Sequence, residues 1–205
     1  MSTSERPSAA PSPDLAAVLD QIWQGLRAGV ADRAHPWHTA VLATVGTHGA
    51  EARTVVLRAA ERGHEELRFH TDRRSAKLRE LAANPGVCLV CYGDGVQLRA
   101  RGSAIVHRDD DLADEAWARS NSMARRCYLP TRAPGTPLDA STSALPAAFV
   151  SARPTLEETA PGRANFAVVS VIVDAFDWLD LTCDGHRRAQ FQRRDAHWSG
   201  RWVVP

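Results

Sequence analysis

Apolar residues Leu15, Val18, Leu19, Ile22, Trp23 and Leu26 recur at helical spacing behind Asp14, predicting an amphipathic helix capped there and bounded by Gly29 and Pro36. From residue 38 the period changes to two. HTAVLATVGTHGAEARTVVLR reads as two strands around a glycine-containing turn, and residues 66–71 as a third strand. A helix opening at Asp72 or Ser75 carries Leu78, Leu81 and Ala82 and stops before Asn84-Pro85. Two further strands, 87–92 and 96–107, flank Gly93-Asp94-Gly95. In the second, apolar Val96, Leu98, Ala100, Ala104 and Val106 alternate with Gln97, Arg99, Arg101, Ser103 and His107.

Residues 109–127 are acidic at the start and basic at the end, which suits one helix and its dipole. Residues 128–164, rich in Pro, Ser and Thr, read as a long loop with a short helix near 147–152. Strands 166–182, 187–193 and 197–204 follow. Hairpin-length connections dominate, predicting a mainly antiparallel α+β chain whose sheet can close as a barrel with peripheral helices. In the strand at 166–182, Ala167, Val169, Val171, Val173, Ala175, Leu179 and Leu181 form an apolar face broken by Asp177. Ser170, Asp174, Trp178 and Asp180 fall on the other face. A three-residue turn with a left-handed Gly185 pairs Arg188 with Asp180, beside Trp178.

Length and composition narrow the class. The 205 residues suffice for one domain, expected over 14–205 after a Ser/Pro/Ala-rich tail at 1–13. A net charge of +1 argues against broad capture of nucleic acid. No apolar run long enough for a membrane span and no secretory leader is visible, and four cysteines make no disulfide framework, so a cytoplasmic protein is expected. Of the 25 Lys+Arg residues only Lys77 is lysine. Lysine is a compact point charge and arginine a planar fork, so that position invites attention.

Arg73-Arg74-Ser75-Ala76-Lys77 lies at a predicted helix N-terminus, where free N–H groups and the helix dipole favour an anion. A phosphate cradle and a solvated basic turn both fit. It lacks Walker glycine spacing. RTVVLR (Arg53, Thr54, Val55, Val56, Leu57, Arg58) has a cation at each end, and strict alternation sets these on opposite faces. Both can serve one ligand only through a bulge, or through the backbone between them. Cys88 and Cys91, three apart in a strand, face opposite ways and read as packing rather than zinc ligands.

Taken together, RTVVLR, His70-Thr71, Ser75-Ala76-Lys77 with Asn84-Pro85, Gln97, Trp178 spaced from Arg188, and Trp198 before the final Pro205 resemble the pyridoxamine 5′-phosphate oxidase family of FMN-binding split β-barrels. The resemblance runs over about 37–108 and 166–205. It implies FMN held between the subunits of a homodimer by Arg53, the backbone of Thr54–Leu57, Arg58, His70, Thr71, Ser75, Lys77 and Gln97. A weaker match adds Thr142 and Ser143. Trp178 and Arg188 would reach the flavin from the partner chain, Lys77 and Ser75 would hold the phosphate, and His186 would handle protons.

Three departures separate the chain from the oxidase. The phosphate-site Ser-Arg-Lys reads Ser75-Ala76-Lys77. The substrate-phosphate Tyr, Arg and Ser fall at Trp117, Asn121 and Arg125, and the Arg-x-His over the substrate reads Asp184-Gly185-His186. The expectation is an FMN-dependent oxidoreductase with another small-molecule substrate. The alternative is a carrier or sensor that binds flavin, haem or deazaflavin without turnover.

Overall fold

The computed structural model describes residues 14–182 and 185–205. The tail at 1–13 and Asp184, both singled out in the sequence, lie outside the described residues. Twelve main elements follow in order: α1 (Leu15–Ala31), β1 (Thr39–Gly46), β2 (Gly49–Glu61), β3 (Glu66–Asp72), α2 (Ala76–Ala83), β4 (Gly86–Gly93), β5 (Val96–His107), α3 (Asp111–Arg119), α4 (Ser122–Arg126), β6 (Phe166–Asp180), β7 (Arg187–Arg194) and β8 (His197–Val203).

Every strand pairing is antiparallel. The order is β3-β2-β1-β4-β5-β6-β7-β8, and a further β3–β6 pairing closes the first six strands into a barrel. Strands β7 and β8 extend the sheet beyond the closure. The interior holds Leu42, Val55, Leu57, Leu67, Phe69, Leu89, Leu98, Val169, Val171 and Phe176.

Helix α1 forms as its apolar stripe predicts, burying Val18, Leu19, Ile22, Trp23 and Leu26 into the same core, with Trp23 edge-on to Phe176 at 5.5 Å between ring centroids. It runs past Gly29 to Ala31, and Gly29 serves close packing rather than a helix stop: a Cβ there would lie 2.6 Å from the Trp37 carbonyl oxygen. Asp14 occupies the N-cap position without a side-chain capping bond.

The helix expected over 109–127 is two helices. Asp110 caps α3 through the Ala113 amide, the chain turns at Ser120, and Asn121 caps α4 through the Ala124 amide. Two residues with strong capping side chains in one segment divide it. Arg125 closes the break from inside, donating to the Trp117 and Ala118 carbonyls, both at 2.9 Å, with its guanidinium 4.9 Å from the Trp117 ring centre. Trp117, Phe166, Val168 and Ala113, with Tyr128 against them, form a second apolar cluster. The long segment after α4 contains two short 3-10 turns, 147–149 and 160–165, rather than a helix over 147–152.

Strand β6 departs most from the predicted pattern. Its register against β5 passes from Gly102↔Val173 to Arg101↔Ala175, so Asp174 is an extra residue, a β-bulge. Before the bulge the odd residues Ala167, Val169, Val171 and Val173 face the core; after it, Phe176 and Trp178 do. Trp178, expected on the polar face, is therefore only 6% exposed inside the barrel core, and Asp177 faces outward. Gly102 makes the bulge possible: a Cβ there would sit 2.0 Å from the Ile172 carbonyl oxygen.

The register of β6 against β7 also differs from the expected one by one residue. Asp180 pairs with Arg187 and Leu179 with Arg188, in place of Arg188 opposite Asp180. Asp180 accepts from the Thr182 amide and from Arg187, and Gly185 is left-handed at φ 85°.

Candidate functional site

Helix α2 starts where β3 ends, and the turn between them converges three side chains. Lys77 Nζ donates to Thr71 Oγ1 at 3.0 Å and to Ser75 Oγ at 3.1 Å, and the two hydroxyls are 3.4 Å apart. Thr71 and Ser75 are buried. Ser75 is the N-cap residue of α2, yet its hydroxyl makes no capping bond and meets the lysine instead. Burial and the nearby charge of Arg53 hold the Lys77 ammonium below the usual lysine range, against the pull of Glu80 and Asp72. Among the described residues Lys77 makes no direct ion pair. A half-buried cation with two hydroxyls at the N-terminus of an eight-residue helix is suited to a phosphate.

Of the other cations in this run, Arg73 points away to Asp109 (3.1 and 3.0 Å). Arg74 is gripped by Asp72 and donates to the carbonyls of Pro130 and Thr131, tying the long segment to the turn. Arg53, on the inner face of β2, donates to Glu80 Oε2 at 2.7 Å and to Thr44, whose hydroxyl also donates to Glu80 at 2.6 Å. Burial alone would raise the Glu80 carboxyl, but the bonds from Thr44 and Arg53 hold it below its usual range. Thr44 and Glu80 were not legible as site residues. The available signal was that Glu80 lies one helical turn after Lys77 on α2.

At the other end of RTVVLR the chain bulges. Pairing with β3 passes from Leu57↔Phe69 to Ala59↔Arg68, leaving Arg58 as the extra residue. A bulge is one of the two routes, beside contact through the intervening backbone, by which Arg53 and Arg58 could serve one ligand. Arg58 is exposed and makes no ion pair among the described residues. It lines a cleft of about 360 Å³ with His70, Arg68, Arg119, Asn121 and Val168. His70 packs edge-on to Phe166 at 4.9 Å; burial, and then the charge of Arg58, lower its pKa to about 4, so the ring is neutral at pH 7. Five residue steps of strand, about 17 Å, separate Arg53 from Arg58. A site with phosphate chemistry at one end and a cleft at the other suits an elongated mononucleotide.

Gln97 lies on the outer face in one cross-strand row with Tyr92, Leu179 and Arg188. Arg188 donates to both oxygens of Asp177, at 3.0 and 2.9 Å. Trp178, one residue on, faces the interior, so within one chain these two share no face; its ring lies 6.4 Å from that of Trp202. Thr142 and Ser143 are exposed and accept from the amides of Ala144 and Leu145. His186 is exposed in the β6–β7 connection. Cys91 is buried, Cys88 half-buried on the opposite face, and no group of three His, Cys, Asp or Glu suited to a metal occurs among the described residues. No helix among the described residues is long and apolar enough to cross a membrane.

The sequence matches the family model described as pyridoxamine 5′-phosphate oxidase over residues 30–155. No curated protein sequence matches it. Among solved structures, a pyridoxamine 5′-phosphate oxidase-related, FMN-binding protein from Nostoc punctiforme is 24% identical with a TM-score of 0.70, over 96% of this chain and 100% of that one. PhzG from Burkholderia lata, in complex with tetrahydrophenazine-1-carboxylic acid, is 20% identical with a TM-score of 0.66, over 94% of each chain. At these identities the likeness shows the split-barrel fold.

Proposed function

The chain belongs to the pyridoxamine 5′-phosphate oxidase family, and on that premise we propose that it is an FMN-dependent oxidoreductase acting as a homodimer on a small molecule. The observation that carries the reading is the convergence of Lys77 on the buried hydroxyls of Thr71 and Ser75 at the start of α2. Lys77, Ser75 and Thr71 would hold the phosphate, with Arg53 supplying further positive charge. The backbone of Thr54–Leu57 would run along the flavin, with Gln97 and His70 beside it and Thr142 and Ser143 approaching from the long segment.

FMN, when bound, supplies two-electron redox chemistry, and the protein supplies binding, orientation and electrostatics. Arg58 would orient an anionic or polar substrate in the cleft, beside the neutral His70. Arg188 would reach the flavin from the partner subunit, while Trp178 offers only the edge its burial leaves. His186, exposed in one chain, would hold or move a proton at its imidazole near the cofactor.

Pyridoxamine 5′-phosphate itself is not the substrate proposed. Of Trp117, Asn121 and Arg125, only Arg125 is a cation, and its guanidinium is engaged by carbonyls and the Trp117 ring. Asn121 Oδ1 is taken by the α4 cap. A dianionic phosphate calls for charge-assisted partners that these three do not present.

The test is the absorption spectrum of the purified protein, mass analysis of the ligand released on denaturation, and sedimentation. A flavin spectrum, released FMN and a dimer are expected. A haem spectrum, a deazaflavin mass, or a monomer retaining stoichiometric FMN would overturn the corresponding part. Flavin reoxidation that no candidate reductant can drive through turnover would favour a carrier.

A further inference from the structure

We propose that Asp177 is a positioning residue that aims Arg188 at the flavin and partly balances the charge of its guanidinium. The inference rests on the reading above that Arg188 meets the cofactor.

The outer face of β5–β8 carries one acid at the centre of a set of donors. Asp177 Oδ1 accepts from Arg188 Nε at 3.0 Å, and Oδ2 accepts from Arg188 at 2.9 Å, Arg99 at 2.8 Å and Gln190 at 3.1 Å. Gln190 in turn accepts from Arg201 at 3.0 Å. Burial alone would raise the Asp177 carboxyl, but the bonds from Arg188, Arg99 and Gln190 bring it down to about 2, so it is charged at neutral pH.

An ordinary surface ion pair exposes both partners and contributes little. Here the acid side chain is 7% exposed, while those of Arg188 and Arg99 are 28% and 44% exposed. The carboxylate is the buried hub, and the guanidiniums are displayed. Two oxygens grip the Nε–H and one terminal N–H of Arg188, which fixes the plane of the fork and leaves its remaining N–H groups for another acceptor. Two arginines on one carboxylate leave one net positive charge on the face. Asp177 reaches this face only because the bulge at Asp174 reverses the alternation of β6.

The experiment is a double-mutant cycle on FMN affinity, with the midpoint potential of the bound flavin as a second readout. Arg188→Ala should weaken FMN at least tenfold. Asp177→Asn, nearly isosteric, should weaken it three- to tenfold when Arg188 is present and less than twofold when Arg188 is Ala. Asp177→Asn should also shift the midpoint potential by about 30 mV, the equivalent of a tenfold change, when Arg188 is present and by much less when Arg188 is Ala; a carboxylate acting on the flavin only through space would shift it equally in both backgrounds. Should Asp177→Asn not fold, Arg188→Lys reads the same point. Lysine keeps the charge but cannot be gripped as a fork, so it should lose nearly as much FMN affinity as Arg188→Ala. An equal Asp177→Asn loss in both backgrounds, an unmoved potential, or full binding by Arg188→Lys would overturn the proposal while leaving the flavin reading intact. Unchanged binding in Arg188→Ala would instead remove the premise that Arg188 meets the cofactor, and the proposal with it.

Discussion

The one lysine of the chain stands where a compact point charge fits between two hydroxyls. Its ammonium sits between two hydroxyls in a half-buried notch with Arg53 nearby. A planar guanidinium would need the notch to open. If Lys77 holds the FMN phosphate as proposed, Lys77→Ala would remove one charge-assisted hydrogen bond to it, about 1.5–3 kcal/mol, so FMN affinity should fall roughly ten- to a hundred-fold. Riboflavin lacks the phosphate, and its binding should change little. Arg73→Ala is the control, because Arg73 is engaged by Asp109 on the far side of the turn. Titration of both variants with both flavins decides it. Equal losses for FMN and riboflavin, or an Arg73→Ala loss as large as that of Lys77→Ala, would return the run to a solvated basic turn. Glu80 complicates the notch usefully: by holding Arg53 it keeps two like charges apart before any anion arrives.

At the scale of the element, two bulges, at Arg58 in β2 and at Asp174 in β6, interrupt strands that carry candidate site residues. The first was legible as one of two routes, the other being backbone contact, by which Arg53 and Arg58 could serve one ligand. The second was missed, and with it the positions of Trp178 and Asp177. Its signal is a change of phase: apolar residues fall on odd positions up to Val173 and on even ones at Phe176 and Trp178. A single alternation drawn through all fifteen residues hides that change. The convergence of Thr71, Ser75 and Lys77 was legible because they are close in sequence. Thr44, Glu80 and Asp177 were not, because only strand pairing and helix packing bring them to their arginines. The α3–α4 break was hidden because charge gradient reports a dipole and says nothing of an internal cap. Gly102→Ala tests the β6 bulge directly. Its Cβ would meet backbone at Ile172, which cannot rotate away as a side chain can. A cost of about 3 kcal/mol or more should lower Tm by roughly 6–12 °C. Gly63→Ala, with open space around the new methyl, should change Tm little.

For the whole molecule, β6 is the shared strand. Along one edge it pairs with β5 through most of its length. Along the other it pairs first with β3, from Phe166 to Ile172, and then with β7, from Ala175 to Asp180. The seam that closes the barrel and the attachment of β7–β8 are thus consecutive stretches of one strand. This has a kinetic meaning. Amides in the first half of β6 are released only when the barrel opens, whereas those of β8, paired on one edge alone, are released by fraying. Native-state hydrogen exchange should therefore rank β6 residues 167–172 among the slowest amides of the chain and the outer amides of β8 among the fastest in any strand. The distal half of β6, which carries Asp177, should respond to cofactor: FMN should slow exchange there and in β7 while leaving the already slow seam unchanged. Uniform slowing of every strand would mean that the barrel and its extension open as a single unit, and that the site shares the stability of the core rather than sitting on a separately mobile arm.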